Sequence, residues 1–194
     1  MRLVALALSA VLLLALTACS SEGGRHFKAG AGLHRNGEFK QAIAEYDEAI
    51  RLDPQHAESY FERGRAYAQL GEHEAALRDY DRDIELGSRY AATFLSRGES
   101  LLAMGERVRA IADLDQAIEL DPKSAEAYRL RAVAYIGLGQ HDRAVEDLSE
   151  LIRLEPRESG AYESRATAYL SVGQLDSAIL DLDELIRLEP EDTG

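Results

Sequence analysis

Three sets of side chains in this 194-residue sequence are of types that do chemistry: five histidines, recurring Asp-x-Asp pairs and a single cysteine, Cys19. The histidines, His26, His34, His56, His73 and His141, include no close pair at the spacing a metal ion needs. Asp79 with Asp81, Asp113 with Asp115, and Asp181 with Asp183 look like divalent-cation motifs on paper. On a helix, residues two apart project about 200° from one another, so such a pair cannot close on one ion. These acids read instead as helix surface charges. No Ser/His/Asp set and no phosphate-cradling glycine loop occurs in the sequence, so the chain reads as a non-enzyme with no catalytic residues, no metal site and no cofactor. Arg63, Arg97, Arg131 and Arg165 recur at one site, and Asp79, Asp113, Asp147 and Asp181 at another. That recurrence predicts ion pairs between helices in preference to contact with a ligand.

The elements that carry these residues repeat. Gly37, Gly71, Gly105, Gly139 and Gly173 stand 34 residues apart, and Ala42, Ala76, Ala110, Ala144 and Ala178 keep the same step. Pro54, Pro122, Pro156 and Pro190 follow it too, with Ser88 where a further proline would fall. A strict period in this range means stacked supersecondary units, each too small to bury its apolar face alone. Within one unit, Tyr60, Ala66, Tyr67 and Leu70 recur at helical spacing and stop at Gly71. A second stripe of Ala75, Ala76, Tyr80, Ile84 and Leu86 then runs to Gly87. The pattern predicts two amphipathic helices of about 14 residues joined at the glycine. The acid-proline pairs, Asp53-Pro54 and its equivalents, are expected to start the next helix as N-cap and first residue.

A unit such as Tyr128, Ala132, Tyr135, Leu138-Gly139, Ala144, Leu148 and Pro156 resembles the tetratricopeptide repeat. The resemblance implies an all-α fold, a right-handed superhelical solenoid of five tandem helix-turn-helix units with about ten helices. They would occupy residues 25–190, as repeats of about 23–56, 57–90, 91–124, 125–158 and 159–190, with a tail at 191–194. Three departures carry expectations. His26 replaces the opening aromatic of the first repeat and Gly30 and Gly32 fall within its first helix, which is therefore expected to fray. Ser88 is expected to cap the helix that follows it. No capping element is visible after the last repeat, so the final helix is expected to leave Leu182, Leu185, Ile186 and Leu188 uncovered, a candidate homodimer face.

In that family the first helix of each unit lines a concave groove that receives a peptide or helix of a partner. Carried over by register, one groove row is Phe27, Phe61, Leu95, Arg129 and Glu163. A second is Ala31, Arg65, Glu99, Val133 and Thr167, and a third His34, Ala68, Leu102, Ile136 and Leu170. Aromatic and arginine anchors are the usual hot spots, which singles out Phe61, Arg65, Leu95 and Arg129. The competing reading for Phe61 is a ring folded against the neighbouring helix. Ala31, Arg65 and Glu99 fill sites where a carboxylate clamp needs asparagine, so the resemblance implies no grip on a C-terminal carboxylate tail. The repeated tyrosines are consumed by inter-helix packing.

The N-terminus carries a separate signal. Met1-Arg2 is a short basic start, Leu3 to Leu16 is almost wholly apolar, and Leu16-Thr17-Ala18-Cys19 follows. The stretch suits a signal peptide better than a membrane span, which needs about 20 residues. Leu-Thr-Ala-Cys resembles the bacterial lipobox. The resemblance implies a signal peptide at 1–18, a lipidated Cys19 and a short tether at 19–24. With Ser20 next, it implies an anchor in the outer membrane facing the periplasm. Ser20 to Lys40 holds four bases against two acids, whereas from Gln41 onward acids outnumber bases by sixteen. A net charge of −13 without a basic stripe argues against nucleic-acid binding. Three functions stay open: an envelope scaffold that binds partner proteins in its groove, a pilotin-like assembly factor for a pilus or secretion pore, and a self-associating structural protein.

Overall fold

The structure, a computed structural model, describes residues 22–189. Cys19 and the segment before it lie outside the described residues, as do Pro190 and the tail. The described chain is all-helical: α1 (residues 22–35), α2 (Phe39–Leu52), α3 (Ala57–Gln69), α4 (His73–Glu85), α5 (Ala91–Ala103), α6 (Arg107–Leu120), α7 (Ala125–Gly137), α8 (His141–Leu154), α9 (Ser159–Ser171) and α10 (Leu175–Leu188). They fall into two compact units that divide between Arg89 and Tyr90. The first holds α1–α4 and the second α5–α10, and in each the helices pair in chain order.

Each pair turns at a glycine. At Gly71 φ is +76°, a left-handed value that costs an L side chain but not glycine. There Gly71 N–H donates to the Ala68 carbonyl and Glu72 N–H to that of Tyr67, so the end of α3 is closed by a Schellman motif. The acid-proline pairs act differently from the N-cap role expected of them. The Oδ1 of Asp53 accepts from Gln55 N–H and that of Asp121 from Lys123 N–H, both at 3.1 Å. Each aspartate therefore folds the chain into a turn as the preceding helix ends, and the next helix starts later, at Ala57 or Ala125. Ser124 supplies the side-chain cap to α7, accepting from Ala127 N–H at 3.3 Å. Ser88 does not cap α5 either. That helix begins after Tyr90, while Ser88 N–H closes back on the Asp83 carbonyl.

The expected fraying of α1 is also corrected. The helix runs unbroken through both glycines and takes in residues 22–24, which the sequence assigns to the tether. Gly30 is buried, and a Cβ there would stand 2.7 Å from the Tyr46 ring. The residue is small because the ring of α2 lies against the α1 backbone. The same fit recurs at Gly64 on Tyr80, with 2.8 Å for an added Cβ. In the second unit the larger partner is leucine, with Gly98 against Leu114 and Ala132 in the same core as Leu148.

The repeated arginines tie these pairs together as their recurrence predicts. Arg63 grips Asp79 with two bonds of 2.8 and 2.7 Å, and Arg131 grips Asp147 with 2.9 and 2.6 Å. Arg97 with Asp113 and Arg165 with Asp181 repeat the geometry. A further guanidinium nitrogen reaches back to the preceding pair. Arg63 Nη1 donates to Asp47 at 2.5 Å, Arg131 Nη1 to Asp115 at 2.6 Å, and Arg165 Nη1 to the Ser149 hydroxyl at 2.9 Å. One side chain thus fixes three helices. Burial pushes the Asp79 and Asp147 carboxyls up against the pull of their arginines. Burial would lower Arg63 and Arg131, but the paired carboxylates overcome it and hold both above the ordinary arginine value. Removing one partner from so buried a pair costs about 3–5 kcal/mol, because the other charge is left uncompensated.

Candidate functional site

In the first unit the face made by α1 and α3 is filled from within. Phe27 lies 5.9 Å from the Tyr46 ring and 5.1 Å from His56, edge-on to the latter. Phe61 lies 6.2 Å from Tyr80, so its ring does fold against the neighbouring helix, with Arg65 5.8 Å above it. Arg65 is itself paired to Glu62 at 3.2 Å. His34 is edge-on to Phe39 at 5.2 Å, and its buried Nδ1 makes no hydrogen bond among the described residues. Burial lowers its pKa, Arg65 adds to the effect, and Glu62 opposes it. The Tyr46 hydroxyl, also buried and without a hydrogen bond among the described residues, is pushed up by the same desolvation.

The corresponding face of the second unit is more open. On α5, Leu95 and Leu102 are half-buried and Glu99 is exposed; on α9, Glu163 and Thr167 are exposed. Val133 of α7 and Leu170 of α9 are each 51% exposed. Between α7 and α9, with α8 beneath, lies a cavity of about 200 Å³. Ala132, Ile136, Leu148, Leu151 and Ala161 line its depth, and Val133, Arg129, Glu158, Gly160 and Ser164 its sides and rim. Arg129 is hydrogen-bonded to Glu126, which raises its pKa, and Glu158 and Glu99 act on it through space in the same sense. The groove rows therefore bring Arg129, Val133 and Ile136 to one cavity, while Phe27 and Phe61 serve packing. Sequence reasoning missed Glu158, Ser164 and the α8 leucines, because each belongs to a different repeat register or helix. Comparing the bulk at each register down the repeats would have found the α8 part.

At the far end of the second unit, α10 exposes Leu175, Ile179, Leu182 and Ile186, which share one face at steps of four, three and four. Leu185 and Leu188, grouped with them in the sequence reading, are half-buried. Among the described residues no group of three or more His, Cys, Asp and Glu could hold a metal, and no helix is long and apolar enough to cross a membrane.

Paired amphipathic helices at a fixed step, Gly-closed turns and a register of small residues under larger ones define a helical-repeat binding protein. Sequence profiles agree on the kind of repeat. One described as "Tetratricopeptide repeat" matches residues 95–159 and 134–193, together just over half of the chain. A second with that description matches 57–86, and one described as "TPR repeat" matches 30–71. The chain belongs to the tetratricopeptide repeat family. No curated protein matches it in sequence. Among solved structures it is similar to a crystal structure of MamA, at 25% identity and a TM-score of 0.82, covering 88% of this chain and 93% of that one. A MamA from Desulfovibrio magneticus RS-1, from residue 41 to the end, is similar in fold at 20% identity and TM-score 0.82, covering 89% and 98%. YrrB, described as "a TPR protein with an unusual peptide-binding site", is similar in fold at 22% identity and TM-score 0.77, with 86% of each chain covered.

Proposed function

We propose that this protein is a lipid-anchored scaffold of the bacterial envelope that holds partner proteins on the face made by the first helix of each repeat. Its membership of the tetratricopeptide repeat family supports protein binding as the activity. The observation that carries the choice of face is the open cavity between α7 and α9, with exposed Val133 at its edge. An exposed apolar side chain beside a cavity is an unfinished contact, and a partner finishes it. The anchor rests on the Leu-Thr-Ala-Cys segment ending at Cys19, and two or more acyl chains make such attachment stable where one is marginal. Labelling cells with radioactive palmitate tests this part. Cys19→Ala should abolish both the label and membrane retention, and a labelled variant would overturn it. A photoreactive residue at Val133 in intact envelopes tests the face. Adducts with one or a few envelope proteins are expected, whereas no adducts, or self-adducts alone, would count against it. Adducts with a single pore or pilus subunit would recast the scaffold as an assembly factor.

The stripe on α10 favours a second reading, self-association. Apolar residues at steps of four and three form the seam by which two helices pair. A light-scattering mass of one chain, unchanged in Leu182→Glu, would remove it.

A further inference from the structure

Three repeats separate the space between α1 and α3 from the space between α7 and α9, so the two can be matched residue by residue. Phe27 stands at the register of Arg129, Gly30 at that of Ala132, and Tyr46 at that of Leu148. In the first unit the Phe27 and Tyr46 rings meet at 5.9 Å, the Tyr46 ring lying on the bare backbone of Gly30. In the second unit both rings are missing from the sequence, and a cavity of about 200 Å³ lies in their place. An apolar cavity of ~150 Å³ is already large enough to take a benzene ring. The molecule therefore contains its own example of what fills such a site.

The rim adds a sign. Arg129 is the one cationic side chain lining the cavity. Three carboxylates act on it: Glu126 from its own helix, Glu99 from α5 and Glu158 from the turn before α9. From Tyr90 to Glu189 the chain carries nineteen Asp and Glu against eleven Lys and Arg. Such a field draws in cationic segments and repels acidic ones, and salt weakens it.

We infer that the cavity between α7 and α9 is a socket for an aromatic side chain supplied by a partner, in a peptide segment where lysine or arginine flanks that ring. The inference rests on the reading of this face as the partner-binding surface. It adds the chemistry of the partner's anchor. The floor of Ala132, Ile136, Leu148 and Leu151 takes the ring, and Glu158 on the rim, within the acidic field of this unit, takes the flanking cations. Arg129, at the register that Phe27 and Phe61 hold in the first unit, lines the cavity where its guanidinium can meet the inserted ring.

The test uses the full chain and three fluorescent peptides at low ionic strength: Lys-Lys-Phe-Lys-Lys, the same peptide with alanine for phenylalanine, and Glu-Glu-Phe-Glu-Glu. Saturable binding of the first is expected, with the alanine peptide weaker by about tenfold or more. The glutamate peptide should be weaker still, and binding of the first should fall with added salt. Arg129→Phe restores one of the two rings that fill the first unit and should weaken the lysine peptide by about tenfold. It does so while making the rim more acidic, so charge alone predicts the opposite result. Ser164→Trp fills the socket from α9 and serves as the second variant, with a circular-dichroism melt to show that each variant is folded. Equal affinity for the alanine peptide, preference for the glutamate peptide, undiminished binding to both folded variants, or no binding to any peptide would each overturn the inference. Crosslinking from Val133 reads the face independently. If those adducts persist when the peptides fail, only the anchor chemistry is wrong.

Discussion

The two units solve one packing problem in opposite ways. Both set a small residue of the first helix under a large residue of the second, and both lock the pair with an arginine that reaches three helices. In the first unit the large residue is Tyr46 or Tyr80, and phenylalanine joins it from the helix in front. The face is finished internally. In the second, leucine replaces tyrosine and Arg129 replaces phenylalanine, so the same architecture is left with a cavity. A filled face and an open one draw on the same register, and the size of one side chain decides between them.

The strongest way to break this comparison is at the feature the units share. Arg63→Ala in the first and Arg131→Ala in the second each strip a partner from a buried carboxylate. Denaturant melts should show losses of about 3–5 kcal/mol in both. A loss below about 1 kcal/mol in either would mean that the ties are surface pairs after all.

A smaller effect sharpens the difference in packing. Gly30→Ala drives a methyl into the Tyr46 ring and should cost about 1–3 kcal/mol. Adding Tyr46→Leu, which copies the second unit, should recover part of that loss. Gly30→Ala without effect would show that the ring has room to move. Ala132→Gly at the matching register should cost only about 1 kcal/mol, mainly as helix propensity.

The next test is a pH slope. His34 sits where the second unit has Ile136. Its pKa is lowered from 6.5 by desolvation, then by Arg65, with Glu62 opposing. The unfolded chain therefore takes up the proton first. The stabilisation is present above that ordinary value and is lost as pH falls below it. Between pH 7.5 and 5.5 the wild type should lose about 1–2 °C more in Tm than His34→Ile, a fraction of a kcal/mol in a chain of this size. Identical slopes would mean that the folded protein accommodates the charge. The smallest effect is expected on the outer surface, where exposed Arg153 pairs with half-exposed Glu150 at 2.8 Å. Arg153→Ala should change stability by no more than about 0.5 kcal/mol.

Much of this was legible in the sequence because the period does the work of an alignment. Gly71 marks a turn by its backbone freedom, and the arginine and aspartate columns predict pairs by recurrence alone. Gly30 misled because glycine in a helix ordinarily signals weakness. Its reason lies in Tyr46 on another helix, and only bulk compared between registers would show it. Pro54 misled because proline suits both a first helical turn and the turn before it, and the Asp53 side chain decides between them. The cavity was the least legible feature. It depends on how far side chains from three helices fail to reach, which no single register records.

The backward reach of the arginines has a consequence for how such a chain can change length. Arg131 looks back to Asp115 and Arg165 to Ser149 across the same sixteen residues. Excising residues 125–158 would set Arg165 at that same distance from Asp115, so the seam would close with an ion pair where a hydroxyl stood before. The repeat is thus a cassette with matching ends. A copy shed or gained in frame is expected to leave the seam paired, while the excision would delete α7 and α8 and with them the cavity. Heredity can thus edit the open face one module at a time, without renegotiating how the chain holds together.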